Sequence, residues 1–148
     1  KTEFKILRPN LLIPALRIFS ENKDHDYPQR IFEIGTIFIN DRNNSTDTGI
    51  LEKENLLIAL SPSNFTEIKQ ILNYLKNSLN VKLEIKESPP NQDLIDGRSA
   101  SINLNKKQIG YFGEMHPKTL QDWNIKMPIS VLEISLDEIM NEILESLN

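Results

Sequence analysis

Residues 30–40 read Arg-Ile-Phe-Glu-Ile-Gly-Thr-Ile-Phe-Ile-Asn, a β-branched and aromatic run bounded by Pro28 on one side and Asp41 on the other. A segment this rich in Ile and Phe needs a sheet around it. Its nearly continuous apolar character predicts a central strand covered on both faces. The rest of the chain therefore has to supply neighbouring strands and two covering layers.

Those partners are legible. Leu12, Ala15, Leu16 and Phe19 recur at i, i+3, i+4 and i+7, with Pro14 in the first turn, and predict a helix ending near residues 22–24. Asp26-Tyr27-Pro28 is turn chemistry, and Thr2–Leu7 alternates as a short strand. Residues 41–52 are polar and aperiodic, a long exposed loop, and 55–60 form a compact apolar strand. Asn64 and Glu67 make a capping box before Phe65, Ile68, Leu72, Leu75 and Leu79, the clearest helical stripe. A strand is expected at 81–85, then a loop through Pro89-Pro90. Residues 99–104 and 108–115 alternate about Asn105-Lys106-Lys107 as a hairpin. His116-Pro117 opens a short helix carrying Leu120 and Trp123 inward. A last strand, 129–134, precedes a helix capped by Ser135 and Glu138, with Leu136, Ile139, Met140, Ile143 and Leu147 as its stripe. Strands and helices alternate irregularly, without a βαβ series. The expected fold is a single α+β domain, a mainly antiparallel sheet flanked by helices.

Composition removes several chemistries. With no Cys there is no disulfide framework, thiolate zinc site or Cys nucleophile. Of five glycines only Gly110 and Gly113 lie close together, inside a strand pattern, so there is neither a P-loop nor a dinucleotide fingerprint. His25, between Asp24 and Asp26, reads as a solvated turn, and His116 as a helix cap; their spacing supports no metal site. No serine sits in Gly-x-Ser-x-Gly. The pairs Asp137/Glu138 and Glu142/Glu145 read as a solvated helix face, Lys106/Lys107 as a hairpin tip, and Asp96-Gly97-Arg98 as a tight turn with Arg98 open to an anion. A net charge of −4 argues against a dominant nucleic-acid surface, and no apolar run is long enough to span a membrane.

The segment from Arg30 to Asp41 resembles motif 2 of the class II aminoacyl-tRNA synthetases, where such a strand leads into Phe-Arg-x-Glu. In those enzymes the Arg holds the ATP α-phosphate and the substrate carboxylate, as a planar, permanently charged fork suits the transition state. Aligned on Phe38, this chain has Ile39 in place of the Arg and Asp41 in place of the Glu. The glycine-rich motif 3 ending in Glu-Arg is also missing, since residues 129–147 hold neither Gly nor Arg.

A class II frame without these residues resembles the β subunit of phenylalanyl-tRNA synthetase, in its archaeal/eukaryotic-type branch. The resemblance rests on Arg8-Pro9-Asn10-Leu11-Leu12-Ile13-Pro14, on residues 26–35 from Asp-Tyr-Pro-Gln-Arg to Ile-Gly, on Phe65-Thr66-Glu67-Ile68-Lys69, on Gly97-Arg98-Ser99-Ala100, and on residues 110–117, Gly-Tyr-Phe-Gly-Glu-Met-His-Pro. It implies a catalytically silent core, with no catalytic, cofactor or metal residue of its own, beside an α subunit that binds ATP and Mg²⁺. The assembly is an (αβ)₂ heterotetramer that joins phenylalanine to its tRNA in the cytoplasm, meeting tRNA through the holoenzyme and no membrane. Lys1 is then a fragment boundary and Asn148 lies near the subunit's own end. The helix at Leu12–Phe19 is the candidate subunit interface, through its stripe of Leu12, Ala15, Leu16 and Phe19 together with Leu11, which lies off the stripe, unless the stripe covers the chain's own sheet. The alternative is a free-standing ATP-dependent acyl-activating domain, which requires a compensating Arg at Arg42 or Arg98.

Overall fold

The computed structural model describes residues 7–43 and 45–148; the expected strand at Thr2–Leu7 lies, but for Leu7, outside them. Ten elements follow in the order α1 (Leu12–Glu21), β1 (Gln29–Asn40), β2 (Ile50–Ser61), α2 (Phe65–Leu79), β3 (Glu84–Glu87), β4 (Leu94–Leu104), β5 (Lys107–Met115), α3 (Pro117–Asp122), β6 (Ser130–Ser135) and α4 (Leu136–Ser146). The strands form one sheet in the order β1-β2-β6-β5-β4-β3, and every neighbouring pair is antiparallel. The fold is α+β, as expected.

Each face of the sheet carries its own core. On the first face Leu12, Ala15, Leu16 and Phe19 of α1 pack with Leu57, Val131, Met115 and the buried side chains of the α3–β6 connection, Ile125 and Ile129. On the second, Ile68 and Leu72 of α2 and Ile139 of α4 pack on Leu56, Leu60, Phe112, Leu132 and Ile134. Phe65 stacks on Phe112 with ring centroids 5.1 Å apart. Successive residues of a strand serve opposite faces, so β6 sends Val131 to one core and Leu132 to the other.

Local chemistry set the ends of the elements. Asn64 Oδ1 accepts the Glu67 amide at 2.9 Å, while the Glu67 carboxylate accepts from Ser63 Oγ instead of closing back on the Asn64 amide. His116 Nδ1 accepts the Lys118 amide ahead of Pro117, and Ser135 Oγ accepts the Glu138 amide. The β4–β5 turn is two residues, Asn105 and Lys106, both at positive φ (50° and 68°), because Lys107 already pairs with Leu104.

Several expectations are corrected. β1 is an edge strand, not a central one: Phe32 is 67% and Ile34 55% exposed, since the second face is covered by helices over β2, β6 and β5 but not over β1. The loop after β1 is shorter, because β2 begins at Ile50. Val81 and Leu83 are buried outside any strand, and pairing starts only at Glu84. Gly97 (φ 78°) belongs to an irregularity inside β4, not to a turn. In α4 only Ile139 is fully buried, while Met140 and Leu147 point outward. Its carboxylates are not simply solvated: Glu138 bonds Lys107 at 2.5 Å, Glu142 accepts from Asn105 Nδ2, and Asp137 accepts the Glu54 amide. Among the described residues no helix is long and apolar enough to cross a membrane.

Candidate functional site: the β1–β2 hairpin and its covered face

The hairpin of β1 and β2 holds the motif 2-like residues. Register places Phe38 opposite Glu52 and Ile39 opposite Leu51. Arg8 pins the outer edge of β1: its carbonyl accepts the Phe38 amide at 2.9 Å and its Nε donates to the Thr36 carbonyl at 2.9 Å. Its guanidinium also bonds Glu33 at 2.8 Å. Gly35 is where this clamp needs the missing side chain, because a Cβ there would run into the Arg8 guanidinium.

Ile39 shares a face with Ile37 and packs, partly buried, against the first core. An apolar contact thus stands where the resemblance places a cation. Asp41 is nearly buried and turned into its own loop, where it accepts from Ser45 Oγ (3.0 Å), the Thr46 amide (2.5 Å) and Thr46 Oγ1 (2.9 Å). Burial alone would raise its pKa, but the Thr46 and Ser45 hydrogen bonds outweigh it and hold the carboxyl below its ordinary value.

An open cleft of about 630 Å³ lies at this end of the hairpin, with Ile39, Arg42 and Lys53 in its wall. Arg98, the other candidate cation, is on β4, four strands away in the sheet, and faces Glu114 at 3.6 Å. The two arginines are not brought together. The four side chains of the α1 stripe and the N-cap Leu11 are brought together, but inward. Leu11, Leu12, Ala15, Leu16 and Phe19 are between 0% and 5% exposed, all spent on the chain's own sheet. A helix has one apolar stripe, and within this chain the sheet occupies it, which is the own-sheet alternative left open by the sequence. The side of α1 facing solvent presents Ile13, Arg17 and Ile18.

Sequence reasoning passed over Glu133. It sits in a strand whose six residues are all buried, on the face that carries α1. Its Oε2 accepts the Leu11 amide at 3.0 Å and Asn55 Nδ2 at 2.8 Å, while Oε1 accepts from Tyr111 Oη at 3.1 Å. The donor amide of Leu11 is one of the orphan groups at the start of a helix, so a negative charge there also favours the helix dipole. Burial, then the Glu133 charge and its hydrogen bond, then Asp93, push the Tyr111 phenol well above its usual value. The signal was a lone acid in an apolar strand, which needs donors from elsewhere. Among the described residues every buried side-chain nitrogen and oxygen has a partner, and no group of three His, Asp or Glu could hold a metal ion. The Glu133 arrangement locks a helix onto a sheet.

A family profile described as the phenylalanyl tRNA synthetase beta chain CLM domain matches residues 1–136. The chain is 39% identical over 132 residues to the phenylalanine–tRNA ligase beta subunit of Thermococcus onnurineus, covering 88% of this chain and 23% of that protein. It is 36% identical over 135 residues to the corresponding subunit of Archaeoglobus fulgidus (91% and 23% covered), and 41% over 133 residues to that of Sulfurisphaera tokodaii (88% and 24%). The chain thus spans about a quarter of the length of these curated relatives. Two solved structures of pyrrolysyl-tRNA synthetase from Desulfitobacterium hafniense superpose with TM-scores of 0.67 and 0.70. Both are 16% identical and cover 90% of this chain and 48% and 47% of theirs, a likeness of fold: class II synthetase-like.

Proposed function

Because this chain belongs to the family of the phenylalanyl-tRNA synthetase beta chain CLM domain, we propose that it is a non-catalytic core module of that subunit. In this reading it packs against a catalytic alpha subunit in an (αβ)₂ cytoplasmic enzyme that charges tRNA with phenylalanine. It is one module of a longer subunit, in keeping with its share of the relatives' length. ATP and Mg²⁺ are handled by the alpha subunit, and tRNA is met through the holoenzyme.

The observation that carries the silent part of this reading is the packing of Ile39. Transition-state stabilisation at a phosphate needs a preorganised cation, and here the corresponding side chain is an isoleucine packed against the core that holds α1. Calorimetric titration of the chain with ATP–Mg²⁺ is expected to give no micromolar binding, and micromolar binding would overturn the reading. Ile39→Arg is expected to yield no pyrophosphate exchange. It should also destabilise the chain by about 1–3 kcal/mol, because it places a charge on a partly buried strand. Exchange from that single substitution would count against silence.

One observation favours the second reading, a free-standing acyl-activating domain: Arg42 and Lys53 share the cleft next to Ile39. The same titration separates the two, since only the second predicts ATP binding that Arg42→Ala abolishes.

A further inference from the structure

Strand β4 carries more chain than its neighbours can pair. Leu94 stands opposite Met115 and Ser99 opposite Gly113, so five steps along β4 face two along β5. Pairing with β3 reaches only Ala100, opposite Glu87, so residues 95–98 have a register partner on neither side. The result is a bulge with three surplus residues. Gly113 makes it a built feature, because a Cβ there would come within 2.8 Å of the Arg98 carbonyl oxygen where the bulge closes. The surplus chain reads Ile-Asp-Gly-Arg, and Asp96, Gly97 and Arg98 are exposed. Gly97 sits at φ 78°, with nothing within 4 Å of the place a Cβ would occupy.

Asp96 is the one Asp or Asn in this chain that is followed by glycine. An aspartyl side chain can close on the amide nitrogen of the next residue to give a five-membered imide. Inside a sheet two things oppose that closure. A side chain on the following residue shields the nitrogen, and a ladder hydrogen bond holds the amide in the pleat. At this position Gly97 removes the first and the bulge removes the second. Water reaches the site as well, since Asp96 lines an open cleft of about 1100 Å³ together with Ser99, His116 and Lys118.

We propose that Asp96-Gly97 is a modification site at which the folded protein isomerises spontaneously, and that the product is a substrate for a carboxyl methyltransferase selective for isoaspartate. The Gly97 nitrogen bonds to Asp96 Cγ, and the carboxyl hydroxyl leaves with the amide proton as water. Water then adds back to the imide. Breaking the new bond at Cγ restores aspartate. Breaking the bond between the Asp96 carbonyl carbon and the Gly97 nitrogen gives isoaspartate, with the chain routed through Cγ and the former backbone carbonyl carbon ending as a free carboxylate. One water leaves and one returns, so the step needs no oxidant and no further reactant. The product has one more main-chain carbon. The slack in the bulge takes it up without parting the Leu94–Met115 or Ser99–Gly113 pairs, so the folded state does not resist the change.

The test ages the full-length protein that carries this chain in neutral buffer, well below its melting temperature, beside the same protein unfolded in guanidinium. Peptide mapping with electron-transfer mass spectrometry locates isoaspartate, and methyl label from S-adenosylmethionine, transferred by an isoaspartyl methyltransferase, counts it. Asn77, also exposed and followed by Ser78, is the internal comparison, because α2 holds the Ser78 amide in its hydrogen-bond ladder. Folding is expected to slow Asn77 by about tenfold or more and Asp96 by no more than about threefold. Asp96→Glu, whose imide would be a six-membered ring, is expected to remove the label from this peptide; the position is exposed, so the variant keeps the fold. Slowing at Asp96 as large as that at Asn77 overturns the proposal, and so does label in this peptide that Asp96→Glu leaves unchanged. Asn77 reacting as fast folded as unfolded would place the chemistry in opened chains and overturns it too.

Discussion

Replacing Glu133 by alanine removes the acceptor of three donors that come from three distant places in the chain. These are the Leu11 amide, Asn55 Nδ2 and Tyr111 Oη, at 3.0, 2.8 and 3.1 Å. Leu11 is fully buried and Glu133 is 3% exposed, so water does not simply take the carboxylate's place. Each buried donor left unpaired costs about 1–3 kcal/mol. The losses are not independent, since relaxation of one donor relieves another, and a total of about 3–5 kcal/mol is expected. Against about 5–15 kcal/mol for a whole domain, that is a large share. Glu133→Gln keeps one acceptor oxygen and should cost less, about 1–3 kcal/mol. Urea unfolding followed by circular dichroism measures both, with Tyr111→Phe and the double variant completing a cycle. If Glu133 is the hub, Tyr111→Phe costs about 1 kcal/mol alone and much less once Glu133 is already alanine. A loss under about 1 kcal/mol for Glu133→Ala, with an unchanged denaturant slope, would refute the view that this carboxylate ties α1 to the sheet.

The same cluster predicts a pH dependence. The folded-state pKa of Tyr111 is raised, so its protonated form is favoured in the folded state. That contribution is fully present below the ordinary tyrosine value of 10.0 and is lost as pH rises from there through the folded value. Alkaline unfolding followed by the fluorescence of Trp123 should therefore show a falling limb above pH 10 that Tyr111→Phe shallows; an unchanged limb would assign it to other groups. Gly110→Ala tests the β5–β6 seam. A Cβ at Gly110 would strike the Glu133 carbonyl and come within 2.9 Å of the Ile134 Cα, both backbone, so the strands must part. A loss of about 2–4 kcal/mol is expected by differential scanning calorimetry, in the range for overpacked interiors.

What could be read in advance was what depends on residues close together in the chain. The caps at Asn64, His116 and Ser135, the stripe of α1 and the β4–β5 hairpin each follow from chemistry within a few residues, and all appear at or near their expected places. The family, too, was legible, because a few short stretches in fixed order carry it; the profile match over residues 1–136 agrees. The sheet order was not. A strand as apolar as β1 reads as central, yet nothing local says which edges find partners, and only the pairing β1-β2-β6 puts it on the rim with Phe32 and Ile34 uncovered. The α1 stripe could have faced either its own sheet or a partner, a choice its sequence leaves open. Within this chain tertiary packing resolved it by burying Leu11, Leu12, Ala15, Leu16 and Phe19. Glu133 makes the same distinction sharpest: its donors lie 122, 78 and 22 residues away. Sequence determines the elements because their energies are local, while long-range burial and pairing decide which face is core, which charge is caged and which surface stays exposed.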